Sequence, residues 1–262
     1  MFWSWRKPVP ASRNGRKIPI SAPRSQPLED ERRHKPYISN TIKTSKYNAF
    51  DFLPRQLVYQ FSRLANAYIL DISILQVIPG FSTTGKFTTL IPLVILLGLV
   101  IAKEGYYDWK RHRQDAVENK RKAVVLGDAI SASKASAALT EQPWEEDSSI
   151  GLQWMYTRWR DLRVGDIIRL SRDEDVPADV IILYADGENG LAYVETMALN
   201  GETSLKPKQR PTGLPDCSTI DAIATCQATL HVEDPNANLY RFDSKFTIDS
   251  ITIPLNLDQD IY

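Results

Sequence analysis

The 262 residues are 43% apolar and carry 32 basic against 32 acidic side chains, a zero net charge that gives no global field for holding nucleic acid. A chain of this length can bury one sizeable core or two small ones. Cys217 and Cys226, in a polar stretch without metal-ligand spacing, read as two free thiols in a reducing compartment; His34, His112 and His231 are scattered and read as surface residues.

Residues 1–35 mix Pro, Ser, Arg and Lys with little periodicity and read as a disordered cytosolic tail. Nine Lys or Arg stand against three acids in residues 1–40, and no apolar run follows Arg6 and Lys7 to serve as a signal-peptide core. Residues 36–56 come next: Tyr37 to Phe50 alternates in part and suits a short strand and a leading loop. Pro54 sits where a helix can begin, with Arg55 to Arg63 along an interface.

Leu64 to Ile78 is apolar apart from Asn66, Asp71, Ser73 and Gln76, and Pro79-Gly80 stops it. Those fifteen residues are short of the roughly 20 that cross a bilayer, and extension back through Leu57, Val58, Tyr59 and Phe61 supplies the difference. Phe87 to Tyr107 has no charge before Lys103. The expectation is a transmembrane hairpin over residues 57–107, with spans at about 57–78 and 87–107 and a short link from Gly80 to Lys86. Arg55 and Arg63 precede it and Lys103, Lys110, Arg111 and Arg113 follow, which places both ends in the cytosol and Ser82-Thr83-Thr84-Gly85 outside. The competing reading makes the two segments core helices of a soluble protein; the second is too evenly apolar for that. Asp71 is open to three readings: snorkelling, pairing with a further helix, or a damaged sequence.

Residues 108–127 read as a charged stalk helix followed by a strand from Lys122, and residues 128–157, rich in Ala, Ser, Glu and Asp, as an inserted loop. From residue 158 to 262 the signal is mainly β. Asp161-Leu-Arg-Val-Gly-Asp-Ile-Ile-Arg-Leu offers a turn and a strand; Val176-Pro-Ala-Asp-Val-Ile-Ile-Leu offers another strand, with Asp179 bracing its loop; Asp221 to Leu230 suits a short helix. Tyr193 to Thr196 reads as a strand running into a turn at Asn200-Gly201, which lifts Glu202 and Thr203. A carboxylate and a hydroxyl on a tight loop can position water for in-line attack on phosphorus, chemistry that needs placement more than covalent help. The same four residues also fit an ordinary hairpin tip with a solvated carboxylate.

Asn200-Gly201-Glu202-Thr203 resembles the dephosphorylation loop in the actuator domain of P-type ATPases, in the form found in the lipid-flipping P4 branch. Lys46-Tyr47-Asn48-Ala49-Phe50, Ala65-Asn66-Ala67-Tyr68, Pro79, Thr88-Thr89-Leu90, Lys110-Arg111-His112, Asp161 to Asp166, Pro177-Ala178-Asp179 and Glu195 to Gln209 resemble that family in the same order. The likeness covers roughly 36–127 and 157–258. It implies an α+β membrane protein, a two-helix transmembrane hairpin plus a mainly β actuator domain incomplete at its C-terminal end. The N-terminus and the actuator domain would be cytosolic, in a Golgi, endosomal or plasma membrane.

The resemblance further implies that Glu202 orients the hydrolytic water, that Thr203 assists by hydrogen bonding, and that Gly201 admits the phosphate to the backbone. Asn200 stands where the family has an aspartate, keeping the turn and removing a charge. Gln76 aligns with the first of two glutamines at the family's exoplasmic lipid gate. Val77 takes the second place, which leaves headgroup selectivity open, and Asn66 joins the same lipid path. Lys206 and Lys208 fit either a phosphate or acidic partner surface or plain solvent exposure. Membrane phospholipids, a flippase β-subunit, and ATP with Mg2+ belong to the complete family enzyme. The sequence contains no Asp-Lys-Thr-Gly motif and no Gly-rich phosphate loop, so the expectation is a fragment that binds neither cofactor and lacks the phosphorylation and nucleotide-binding domains. The alternative is an inactive membrane-anchored module or the product of a disrupted gene. A cation-pumping relative fits less well, given the glutamine before Pro79 and the Asn-Ala-Tyr block.

Overall fold

A computed structural model describes residues 15–20, 27–30, 34–48, 50–78, 85–128, 151–226, 228–234, 242, 244–248 and 251–255. In chain order the elements begin with β1 (Arg16–Ile20), β2 (Glu29–Asp30), β3 (Lys35–Pro36), α1 (Phe52–Phe61), α2 (Leu64–Val77) and α3 (Leu90–Glu118). They continue with β4 (Lys122–Asp128), β5 (Leu152–Arg158), β6 (Ile168–Arg169), β7 (Leu191–Val194), α4 (Met197–Asn200), β8 (Lys206–Gln209), α5 (Ile220–Thr225), β9 (Ala228–Val232), β10 (Ser244–Ile248) and β11 (Ile251–Leu255). Two compact units result, one from Met1–Thr41 with Arg121–Tyr262 and the other from Ile42–Lys120.

The first unit is mixed α/β. Its largest sheet runs β1-β9-β10-β11, every pair antiparallel. The register aligns Ile18, Leu230, Phe246 and Ile253 in one row, and because side chains alternate faces along a strand, that row turns to the core. Phe246 is fully buried there. Leu126, Leu152 and Trp154 from the sheet β5-β4-β6, with Ile220 and Ile223 from α5, complete the same apolar cluster. The neighbouring row, Lys17, His231 and Lys245, lies on the opposite face.

Several sequence expectations change here. Arg16–Ile20, inside the stretch read as a disordered tail, is an edge strand; Ile18 and Ile20 alternate with Lys17 and Pro19, and β9 offers the edge they need. The stretch read as an insertion ends in β5, while residues 129–150 lie outside the described residues. Residues 176–183 form no strand. Pro177 has no N–H to give a ladder, and its carbonyl accepts from Asn40 Nδ2 at 2.9 Å, the same amide that reaches Trp159 O at 3.0 Å. The helix read over 221–230 is confined to Ile220–Thr225, capped by the Thr219 side chain, and Ala228 already belongs to β9.

In the second unit α3 is 29 residues, about 43 Å at 1.5 Å per residue, and among the described residues it is the one helix long and apolar enough to cross a membrane. The expected first span is divided. α1 and α2 break at Ser62-Arg63, where Arg63 has an extended ψ of 122° and Ser62 Oγ donates to Tyr59 O at 2.7 Å. α2 alone has 14 residues, about 21 Å, against about 30 Å of hydrocarbon. The link residues Ser82-Thr83-Thr84 lie outside the described residues. Gly105 of α3 faces the Phe52 ring, which would stand 3.0 Å from an added Cβ; that close approach lets α1 pack on α3.

Residues 37–48 form neither the expected strand nor a helix. Ile42 to Tyr47 instead lies along α3, held by side chains. Asn119 accepts from Ile42 N and donates to Ile42 O, both at 2.8 Å. Asp115 accepts from Thr44 N at 2.9 Å, Thr44 Oγ1 at 2.5 Å and Ser45 N at 3.0 Å. Asp108 accepts from Lys46 N at 2.8 Å. Spacings of seven and four residues put these three side chains on one helical face.

Candidate functional site

β7 and β8 pair antiparallel from Leu191↔Gln209 to Val194↔Lys206, so residues 195–205 form the loop at the end of a two-stranded hairpin. The strand ends at Val194 rather than Thr196, and the reversal is made by α4. Gly201 ends that helix with φ +76°, its N–H donating to Met197 O at 2.9 Å, a left-handed cap that glycine adopts without a Cβ penalty. Nothing lies within 4 Å of where a Cβ would stand, so the backbone at Gly201 is open to approach.

Asn200 is the brace of this loop. Its Oδ1 accepts from Thr196 Oγ1 at 3.0 Å and from Glu202 N at 3.1 Å. Glu202 is half exposed, and Lys206 Nζ lies 2.7 Å from its Oε2. Thr203 is exposed and, among the described residues, makes no side-chain hydrogen bond to Glu202. Asn200, Gly201 and Glu202 are therefore brought into one arrangement and Thr203 stands beside it. Met197, Leu199 and Leu205, all more than half exposed, ring the loop with apolar surface.

The three residues read as lipid-path groups fall into two places on α2. Asn66 is in its first turn and donates to Gln60 O at 2.9 Å, bracing the break from α1. Gln76 and Val77 are at the other end. Thr89 Oγ1 donates to Gln76 Oε1 at 2.7 Å and stands 3.0 Å from Ser73 Oγ, which donates to Ile69 O at 2.7 Å. Two hydroxyl protons cannot serve three hydrogen bonds. Turning the Gln76 amide so that Nε2 donates to Thr89 satisfies the whole chain. Val77 is exposed, as is Asp71.

Sequence reasoning missed Ser73, buried to 1% exposure, and the Asp108–Asp115–Asn119 face. Burial pushes the Asp115 carboxyl up, but hydrogen bonds from Thr44 and Ser45 outweigh it and hold the group below its ordinary 3.8. The spacing of Asp108, Asp115 and Asn119 was the available signal, polar groups on one stripe of a helix.

Residues 24–90 match the family described as Phospholipid-translocating ATPase N-terminal, and residues 146–231 match the P-type ATPase actuator domain. The chain is 37% identical to the probable phospholipid-transporting ATPase DNF3 of Saccharomyces cerevisiae, over 96% of this chain and 19% of that protein. It is 34% identical to the phospholipid-transporting ATPase dnf1 of Schizosaccharomyces pombe, over 96% of this chain and 21% of that one. The mouse phospholipid-transporting ATPase IC is 36% identical over 85% of this chain and 16% of its own length. The chain thus spans about a fifth of the length of these relatives. Two ordered family matches and near full coverage of the chain by these alignments place it in the P4-type, phospholipid-transporting branch of the P-type ATPases, as an N-terminal portion that includes actuator-domain sequence.

Proposed function

We propose that this chain supplies the membrane-entering N-terminal portion and the dephosphorylation loop of an ATP-driven phospholipid flippase. The observation that carries the proposal is Glu202, a half-exposed carboxylate at a hairpin tip, on a loop braced by Asn200 and ringed by exposed apolar side chains suited to docking. Docked against an aspartyl phosphate, Glu202 accepts a proton from the attacking water as its oxygen bonds phosphorus. The acyl O–P bond breaks and the aspartate leaves as carboxylate. Gly201 leaves backbone room beside the phosphoryl oxygens, and Thr203 adds a hydroxyl to the docking face.

On the membrane side the reading has two passes, α1 and α2 together supplying the first and α3 the second, with cytosolic N-terminal and actuator segments. The exposed Val94, Ile95, Leu96 and Leu99 of α3 suit lipid contact. Gln76, steadied by Thr89, and Val77 face a phospholipid headgroup, with Asn66 at the opposite end of the same helix. A β-subunit belongs to this reading by family likeness. ATP and Mg2+ serve the complete enzyme, ATP as the phosphoryl donor. Among the described residues no three His, Cys, Asp or Glu side chains gather as a metal cage.

The test is a complete pump in which this chain is joined to the remaining domains of the S. cerevisiae relative. Glu202→Gln should accumulate phosphoenzyme from labelled ATP and lose lipid-stimulated decay, by about 100-fold or more. Decay at the unsubstituted rate would reject the assignment.

A further inference from the structure

We propose that Lys206 is the positioning residue of the dephosphorylation loop, orienting Glu202 by holding one of its carboxylate oxygens. The inference rests on the reading of Glu202 as the water-orienting base. Lys206 is the first residue of β8, and its backbone is fixed by pairing with Val194. From there its Nζ crosses the exposed residues 203–205 to reach Glu202 Oε2 at 2.7 Å.

Glutamate has three side-chain torsions, and at an exposed loop tip they are otherwise unrestrained. Two contacts remove that freedom. Asn200 Oδ1 accepts from the Glu202 N–H and fixes the backbone, while the ammonium fixes the far end of the side chain. The two carboxylate oxygens thereby take separate tasks. Oε2 is tied to the hairpin, and Oε1, which has no hydrogen bond among the described residues, is presented as the acceptor for the proton of the attacking water. A lysine suits this better than a neutral donor, because its charge matches the ionised form that the base needs, and its flexible stem follows the carboxylate as the loop docks.

The chimeric pump described above tests this, with phosphoenzyme formation from ATP as the check that each variant folds. Lys206→Met should slow phosphoenzyme decay about fivefold, the factor that corresponds to the upper end of a solvent-accessible ion pair, while leaving the lipid concentration for half-maximal stimulation unchanged. Lys206→Arg should keep most of the decay rate. Adding Lys206→Met to Glu202→Gln should slow decay no further than Glu202→Gln alone, because the lysine acts through the glutamate. If Lys206→Met forms no phosphoenzyme, Lys206→Gln carries the same expectations. Decay at the unsubstituted rate in both charge-removing variants, or the same slowing in the Glu202→Gln background, overturns the role of Lys206 and leaves Glu202 standing. Unimpaired decay in Glu202→Gln alone overturns the base assignment itself.

Discussion

Removing the Asp115 carboxylate should release Thr44 and Ser45 from α3 without unfolding the helix. Asp115 is 6% exposed and accepts three hydrogen bonds, two of them from backbone amides. Hydrogen bonds to a charged group contribute about 1.5–3 kcal/mol each, and each buried amide left without an acceptor costs about 1–3 kcal/mol. Asp115→Ala gives back the desolvation of the carboxylate, so the net local loss is about 3–5 kcal/mol rather than the full sum. That corresponds to exchange of the Thr44 and Ser45 amides faster by about two to nearly four orders of magnitude, read by hydrogen exchange with residue-level mass spectrometry on the full chain in detergent. Asn119 gives an internal control, since its two bonds to Ile42 survive. The carboxyl sits below its ordinary 3.8, so its stabilisation is complete above about pH 4 and is lost as pH falls through the folded value; exchange at pH 7 senses all of it. Unchanged protection at Thr44 and Ser45 would refute the argument.

Two other groups give pH-linked outcomes. His231, between Lys17 and Lys245 in the sheet register, is lowered from 6.5 by partial burial and then by the two lysines. The unfolded chain then binds more protons near pH 6, so the β1-β9-β10-β11 sheet should be more stable at pH 7.5 than at pH 5.5; amide exchange in β9 should show this, and His231→Asn should flatten the difference. Cys217 is buried, and that burial, with Cys226 beside it, pushes its thiol from 9.0 up to about 11. At pH 8 its thiolate fraction falls about a hundredfold below that of an ordinary cysteine, so iodoacetamide should label Cys217 at least that much more slowly in the native chain than in urea; equal rates would contradict the buried placement.

What could be read from the sequence depended on the range of the interaction. The hairpin tip is local: β-formers, a Gly at a left-handed cap and a second short strand lie within twenty residues, and the loop was legible apart from its short helix. α3 was legible because hydropathy over twenty residues needs no partner. Asp115 was not, because its meaning depends on Ser45, 70 positions away. β1 was hidden for the same reason: Ile18 makes a strand only against Leu230, and in isolation a basic, proline-containing stretch reads as a tail. The pairing of Lys206 with Glu202 escaped as well, since a salt bridge four residues apart is an expected pattern on a helix, and here it closes a loop.

The asparagine at position 200 separates two properties that an aspartate would combine. Holding the loop requires an acceptor oxygen that takes hydrogen bonds from Thr196 Oγ1 and Glu202 N, and the amide Oδ1 does so at 3.0 and 3.1 Å. An aspartate oxygen reaches the same donors, so the shape of the turn does not distinguish the two residues. Their charges do. A carboxylate at position 200 would stand two residues from that of Glu202, with Lys206 as the cation paired to the latter. Two like charges on one tip repel, and a docking surface must neutralise both; with the amide, Lys206 and Glu202 already balance. Asparagine in place of aspartate therefore keeps the backbone geometry of the turn while making the tip less anionic. In the proposed docking, any electrostatic cost would appear in its strength and salt dependence, and the placement of the Glu202 carboxylate is unaffected.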